Sequence, residues 1–178
     1  MEKEYTFILP CLNEEKTLEY CIKEIQKTIE EKNLDAEILV SDNGSTDNSI
    51  KIAEKNGVRV VICKEKGYGS ALINGTNNAK GKYCIMGDSD GSYDFYNIDD
   101  FIKKLKLSHK GMEYASEMII IAKLNNLKIV EVPTKLKKDL RDRKSHLKTI
   151  RDGWKHLKLI FKLAINKKQY IIEETKND

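Results

Sequence analysis

An α/β domain with a mostly parallel sheet is the fold class this sequence predicts, and three observations predict it. Short, continuously apolar runs alternate along the first half of the chain with segments of helical period. The connections between them are short, as in repeated strand–helix units. Three of the runs end in polar clusters, Asn13-Glu14, the stretch 42–47 and Asp88-Ser89-Asp90. In parallel sheets ligands bind beyond the carboxyl ends of the strands, so the three clusters fall on one functional edge.

The elements follow in order. Residues 5–12 read as the first strand. The helix after it carries Leu18, Cys21, Ile22, Ile25 and Ile29 on one face. Residues 36–41 form the second strand, and Asp42-Asn43-Gly44-Ser45-Thr46-Asp47 is a polar loop at its end. The next helix runs through Ile50 and Ala53 and closes at Asn56-Gly57, a left-handed cap. Residues 58–63 are a third strand, 64–69 a loop, 68–79 a helix and 82–87 a fourth strand, followed by a helix over 98–106. The second half reads as a helix over 113–125, a strand over 127–132 and a charged loop over 133–145. A long amphipathic helix starts near His146. Its stripe of Ile150, Trp154, Leu157, Phe161 and Ala164 is expected to pack in the core, with membrane contact as the alternative.

The chain has 178 residues, long enough for one domain with a sizeable core. It is 40% hydrophobic with a mean hydropathy of −0.54, which suits a water-soluble protein. It holds no run of about 18 apolar residues and no signal-peptide pattern at its start. Cys11, Cys21, Cys63 and Cys84 are scattered among apolar neighbours without a Cys-x-x-Cys pair. They are expected to be buried, reduced thiols, which points to the cytoplasm. The net charge is +4, but residues 133–168 hold 13 Lys/Arg against 3 Asp/Glu, leaving the remainder acidic. Such a segment suits phosphates or an anionic surface, or is a solvated helix face. Nucleic acid is not expected, because aromatic residues do not interleave with its charges.

Asp88-Ser89-Asp90 is the cluster with the clearest chemistry. Two carboxylates one residue apart at the end of a buried strand need cationic compensation. Hard divalent ions supply it and commonly sit between carboxylates and substrate phosphates. Asp before Gly91 is also ordinary turn composition. Asp42 can accept hydrogen bonds from a base or sugar, or can serve a turn, and Asp47 is the better helix cap.

Taken together, these residues resemble family 2 glycosyltransferases of the GT-A fold, a Rossmann-like, mostly parallel sheet flanked by helices. They most resemble the branch that transfers sugars to polyprenyl (dolichyl) phosphate. The resemblance rests on Ile8-Leu9-Pro10-Cys11-Leu12-Asn13-Glu14-Glu15, Val40-Ser41-Asp42-Asn43-Gly44-Ser45-Thr46-Asp47, Lys66-Gly67-Tyr68-Gly69-Ser70-Ala71 and Asp88-Ser89-Asp90-Gly91-Ser92-Tyr93. Further on it rests on Gly111-Met112-Glu113-Tyr114-Ala115-Ser116-Glu117-Met118, Val130-Glu131-Val132-Pro133 and Arg143-Lys144-Ser145-His146-Leu147, in the family's order.

The resemblance implies that Pro10, Leu12, Asn13, Glu14, Asp42 and Asn43 line a nucleotide pocket, with Lys66 and Gly69 in the loop beside it. It implies that Asp88 and Asp90 hold Mg²⁺ or Mn²⁺ on the donor diphosphate, Asp90 acting catalytically through that ion. Arg143 and Ser145 would bind phosphate, with His146 where relatives often carry Lys. Ser92 stands where some relatives have a metal-binding Gln, and would reach the ion through water.

One departure stands out. In this branch a long stretch separates the helix over 98–106 from the Gly111-Met112-Glu113 motif, whereas here four residues do. That stretch would carry acceptor contacts and a general base that no residue here matches. Glu113 and Glu117, on one helix face, could replace it or be structural. A lipid phosphate is already anionic and needs no base, unlike a hydroxyl acceptor.

The expectation is one glycosyltransferase-like domain over 1–178, with a nucleotide-sugar-binding half at 1–106 and a shortened acceptor-side half at 111–165. It would move a hexose from a nucleotide-diphosphate sugar to a polyprenyl-phosphate-type acceptor, working in the cytoplasm at the membrane surface. The alternatives are a non-catalytic nucleotide-sugar-binding remnant and a sequence in which the stretch has been closed up. A real deletion would uncover apolar surface that a second copy could cover.

Overall fold

The computed structural model describes residues 3–96, 110–124 and 149–166. The elements in chain order are β1 (Lys3–Cys11), α1 (Leu18–Glu31), β2 (Ala36–Asp42), α2 (Ser49–Lys55), β3 (Arg59–Ile62), α3 (Tyr68–Asn78), β4 (Gly81–Met86), α4 (Tyr114–Leu124) and α5 (Thr149–Ile165). The four strands are all parallel, in the order β3-β2-β1-β4. The helix over 98–106, the strand over 127–132 and the loop over 133–145 lie outside the described residues.

β1 is the spine of the sheet, with every residue from Thr6 to Cys11 buried. A strand covered on both faces must be apolar throughout, and Phe7-Ile8-Leu9 meets that need. Alternation then sorts its side chains. Phe7, Leu9 and Cys11 join Ile38 and Val40 of β2 and Leu18, Cys21, Ile22 and Ile25 of α1 in the larger core. Ile8 points the other way, to Leu72 of α3, Cys84 of β4 and Tyr114 of α4. The chain builds outward from β1 to β3, then returns to pair β4 with β1 on the other side. That reversal is a topological switch point, and the crevice beyond it is the usual ligand site. α2 ends as the sequence predicts: Gly57 has φ +71 and the Val58 N–H reaches the Ala53 carbonyl at 3.0 Å. The four cysteines are free and buried, and burial pushes the Cys11 thiol up to about 11 and Cys21 up to about 12.

The opposite, amino-terminal edge of the sheet is held by Glu37. Its carboxylate accepts from Arg59 Nη2 at 2.8 Å, Thr6 Oγ1 at 2.9 Å and the Lys80 N–H at 2.7 Å, tying together β1, β2, β3 and the start of β4. Burial alone would raise this carboxyl. The hydrogen bonds from Lys80, Arg59 and Thr6 outweigh it and hold the group below its ordinary value of 4.5. A depressed carboxyl stabilises the fold above its unfolded pKa and loses that contribution as pH falls through the folded one. Glu37→Gln should therefore cost about 1–3 kcal/mol at neutral pH. The gap from wild type should close in acid, below about pH 4.5, as read by thermal unfolding across pH.

α5 corrects one expectation. Ile150, Trp154, Leu157 and Phe161, predicted to be core, are exposed. Its packed face is Asp152, Leu159 and Leu163, with His156 Nδ1 2.8 Å from Ser116 Oγ of α4. The apolar stripe has the predicted period but faces away from the domain, because a second, narrower row containing a carboxylate takes the inner side.

Candidate functional site

A cavity of about 530 Å³ opens at the carboxyl edge of the sheet, where the ends of β1 and β4 diverge. The end of β1 gives it Pro10, Cys11 and Leu12, with Glu14 just beyond. Asn43 comes from the loop after β2, and Lys66, Gly67, Tyr68 and Ala71 from the start of α3. Asp88, Ser89 and Asp90 follow β4, Gly111 and Met112 precede α4, and α5 contributes Arg151, Asp152 and Lys155.

The Asp88-Ser89-Asp90 segment is pinned by its middle residue. Ser89 Oγ donates to the Pro10 carbonyl at 2.8 Å, and Thr17 Oγ1 donates to the Ser89 carbonyl at 2.6 Å. Both contacts are buried, so the segment is fixed to β1 and α1 while its carboxylates line the cavity. Asp90 is 4% exposed and accepts at Oδ1 from the Ser92 N–H (3.0 Å) and Ser92 Oγ (2.6 Å). Ser92 thus orients Asp90 directly. Asp88 accepts from the Tyr68 hydroxyl, and burial, reinforced by that carboxylate, raises the phenol's pKa. Gly87 admits no side chain because a Cβ there would meet the Phe95 ring, which packs edge-on to Phe7.

The other predicted residues divide into wall and brace. Pro10, Leu12, Glu14 and Lys66 are on the wall. Asn43 is on it too, but its amide is engaged. Its Nδ2 donates to the Glu65 carbonyl at 2.7 Å and its Oδ1 accepts the Gly67 N–H at 2.8 Å, while Lys66 Nζ donates to its backbone carbonyl at 2.9 Å. Asn43 thereby locks the β2–α2 loop to the β3–α3 loop. Asn13 has φ +59 and accepts at Oδ1 from the Thr46 N–H at 2.7 Å, bracing the loop behind the wall. Asp42 is 1% exposed. It is off the cavity wall; its Oδ2 accepts from the Gly44 N–H (2.9 Å) and the Ser45 N–H (3.0 Å), whereas its buried Oδ1 has no hydrogen-bond partner among the described residues. Asp47 accepts the first helical N–H of α2, from Ser49, at 2.9 Å. Gly69 is buried in the first turn of α3, off the wall. Arg143 and Ser145 lie outside the described residues, as does His146. Neither Glu113 nor Glu117 is on the wall: Glu117 is wholly buried, and Glu113 has one buried oxygen without a partner among the described residues.

Sequence reading missed the cations that α5 brings to the cavity. Arg151 Nε is 3.3 Å and Lys155 Nζ 3.6 Å from Asp152 Oδ1, and Asp152 is 3% exposed. This buried acid fixes the two bases beside the carboxylates of β4's end. The signal was present as Arg151, Asp152 and Lys155 within one helical turn, hidden by the stronger apolar stripe.

The donor set bears on a metal. Among the described residues no group of three or more His, Cys, Asp or Glu side chains could cage an ion. Two oxygen-donor carboxylates in a cavity with nearby cations instead fit an ion of the Mg²⁺ type, which takes one or two carboxylates and completes its shell with substrate phosphates and water. Asp88 and Asp90 would hold it.

Known proteins are similar to this chain over part of their length. A low-salt glycan biosynthesis hexosyltransferase of Haloferax volcanii is 24% identical over 217 residues, taking in 86% of this chain and 52% of that protein. A dolichyl-phosphate beta-glucosyltransferase of Dictyostelium discoideum is 28% identical over 130 residues, 64% of this chain and 40% of that protein. The chain therefore spans about half the length, or less, of these curated relatives. A solved structure, glucosyl-3-phosphoglycerate synthase from Mycobacterium tuberculosis with Mn²⁺, UDP and glucosyl-3-phosphoglycerate, is 31% identical. That match has a TM-score of 0.45 and covers 49% of this chain and 34% of that one. The sequence model described as Glycosyl transferase family 2 matches residues 6–167. With that match over most of its length, and a parallel sheet carrying its cavity at the switch point, the chain belongs to glycosyltransferase family 2.

Proposed function

We propose that this chain binds a nucleotide-diphosphate hexose with a divalent cation and transfers the hexose to a polyprenyl-phosphate-type acceptor. The observation that carries the reading is the meeting of Asp88 and Asp90 with Lys66, Arg151 and Lys155 around one cavity at the switch point. A diphosphate with its counter-ion needs both signs of charge within a few ångströms, and few other ligands do.

In this reading Asp88 and Asp90 would hold Mg²⁺ or Mn²⁺, and such an ion would offset charge on the leaving nucleoside diphosphate. Tyr68 and Ser92 keep the two carboxylates in place. Asp42 is off the cavity wall but offers a base or ribose donor group its Oδ1, a buried carboxylate oxygen that has no partner among the described residues and is costly until a ligand satisfies it. Arg151 and Lys155 meet phosphate, of the donor or of the acceptor, a role that the family resemblance also gives to Arg143 and Ser145. An anionic lipid phosphate attacks without a general base, which agrees with the lack of an acidic residue on the wall from α4. The name of the Dictyostelium relative supports the acceptor class.

A second reading keeps donor binding and drops turnover. It is favoured by the match to the Haloferax hexosyltransferase, which runs over 217 residues, more than the 178 of this chain, and so spans positions with no counterpart here. The two readings part on one assay, transfer of labelled hexose from UDP- or GDP-hexose to a polyprenyl phosphate in detergent. Product dependent on Mn²⁺ or Mg²⁺ supports the enzyme. Donor binding without product supports the remnant, and neither binding nor product sinks both.

Tyr68→Phe tests the support of Asp88. The partly buried ring keeps its packing, so stability should change by no more than about 1 kcal/mol. Metal-dependent nucleotide affinity should fall about three- to tenfold, as read by calorimetry.

A further inference from the structure

We infer that α5 lies in the plane of an anionic bilayer, with its exposed apolar face in the lipid and its basic flank at the headgroups. The inference deepens the lipid-phosphate reading above and rests on it for its purpose. Ile150 is 91% exposed, Trp154 60%, Phe161 61% and Ile165 80%, and Leu157 lies among them on the same helical face. At 17 residues the helix is about 25 Å long. Among the described residues no helix is long and apolar enough to cross a membrane, so such a face can lie on a bilayer but not span it.

Charge selects the occupant. Arg151, Lys155, Lys158 and Lys162 recur every three or four residues and form one row between the apolar face and the packed face. The helix has a single acid, Asp152, and that is buried against the domain. The outward surface of α5 therefore presents cations and apolar groups without a carboxylate. A partner protein of mixed charge would leave that row poorly matched, whereas an anionic headgroup layer over hydrocarbon matches both parts. Trp154 sits at the border, with Lys158 Nζ 5.9 Å over its ring, the position that an interfacial Trp favours. Arg151 and Lys155 of the same row also line the cavity. The row thus leads from the headgroup plane to Asp88 and Asp90, the path an acceptor phosphate must take.

Trp154 is the chain's single tryptophan and serves as the reporter. The experiment titrates the full chain with vesicles of phosphatidylglycerol and phosphatidylcholine in equal parts, and with phosphatidylcholine alone. Neither polyprenyl phosphate nor nucleotide is present. The expected result is a blue shift of Trp154 emission with the anionic vesicles that weakens in high salt. Phe161→Glu with Ile165→Glu, and Lys158→Glu with Lys162→Glu, should each weaken partitioning by about tenfold or more. All four side chains are exposed, so circular dichroism should be unchanged. No shift with vesicles overturns the inference. So does a shift that rises with protein concentration alone, which would give the face to a second copy, or variants that bind like wild type. Nucleotide titration without vesicles reads the donor site separately, so failure of docking and failure of the transferase reading are told apart.

Discussion

Asp90→Ala should abolish hexose transfer, lowering turnover by about 10²–10⁴-fold, while leaving the protein folded. Asp90 lines the cavity, is 4% exposed and is held at Oδ1 by both the hydroxyl and the N–H of Ser92. Such a carboxylate is preorganised for a cation, and its loss removes half of the pair that would hold one. Removing a buried charge also relieves desolvation, so stability should move by no more than about 2 kcal/mol in either direction. Labelled-hexose transfer and thermal unfolding, measured together, separate the two effects. Undiminished transfer by a folded variant would remove Asp90 from the chemistry.

Gly67→Ala is the second large effect, and it acts through the backbone. Gly67 has φ +134, a conformation that side chains resist, and a Cβ there would run into the Lys110 carbonyl. That carbonyl also accepts the Ser70 N–H at 3.1 Å, and the Gly67 N–H is taken by Asn43. The loop cannot shift without losing these contacts, so the strain stays at the cavity wall. The expected cost is about 2–4 kcal/mol, together with loss of nucleotide binding. Gly57→Ala is the control. Its φ of +71 is also positive, but nothing lies within 4 Å of its Cβ, so it should cost only about 1–2 kcal/mol. It should also leave binding untouched. Denaturant midpoints and calorimetry on the two variants test the contrast.

The strands and the three polar clusters at their ends were legible because short apolar runs and turn residues are local signals. Asp88 and Asp90 belonged to that local pattern, and the sheet brought them to the cavity with Pro10, Leu12 and Glu14. The braces were not legible. Asn43 reaches Glu65 and Gly67, and Asn13 reaches Thr46, across 22, 24 and 33 residues respectively, and no spacing rule announces such pairs. The reason for Gly67 is the carbonyl of Lys110, far along the chain. α5 misled in a more instructive way. Periodicity finds an apolar face but does not say whether the domain or something else covers it, and here the buried row is Asp152, Leu159 and Leu163. The cations Arg151 and Lys155 were hidden for the same reason, since their role depends on which way the helix is turned.

The proposed function requires a metal-dependent donor site at the switch point of the sheet. Calorimetric titration of UDP and of GDP, each with and without Mn²⁺, tests it most directly. One of them should bind, Mn²⁺ should tighten binding at least about tenfold, and Asp88→Ala and Asp90→Ala should remove the metal dependence. Binding of neither nucleotide by the folded protein, or binding indifferent to Mn²⁺ and to both aspartates, would contradict it.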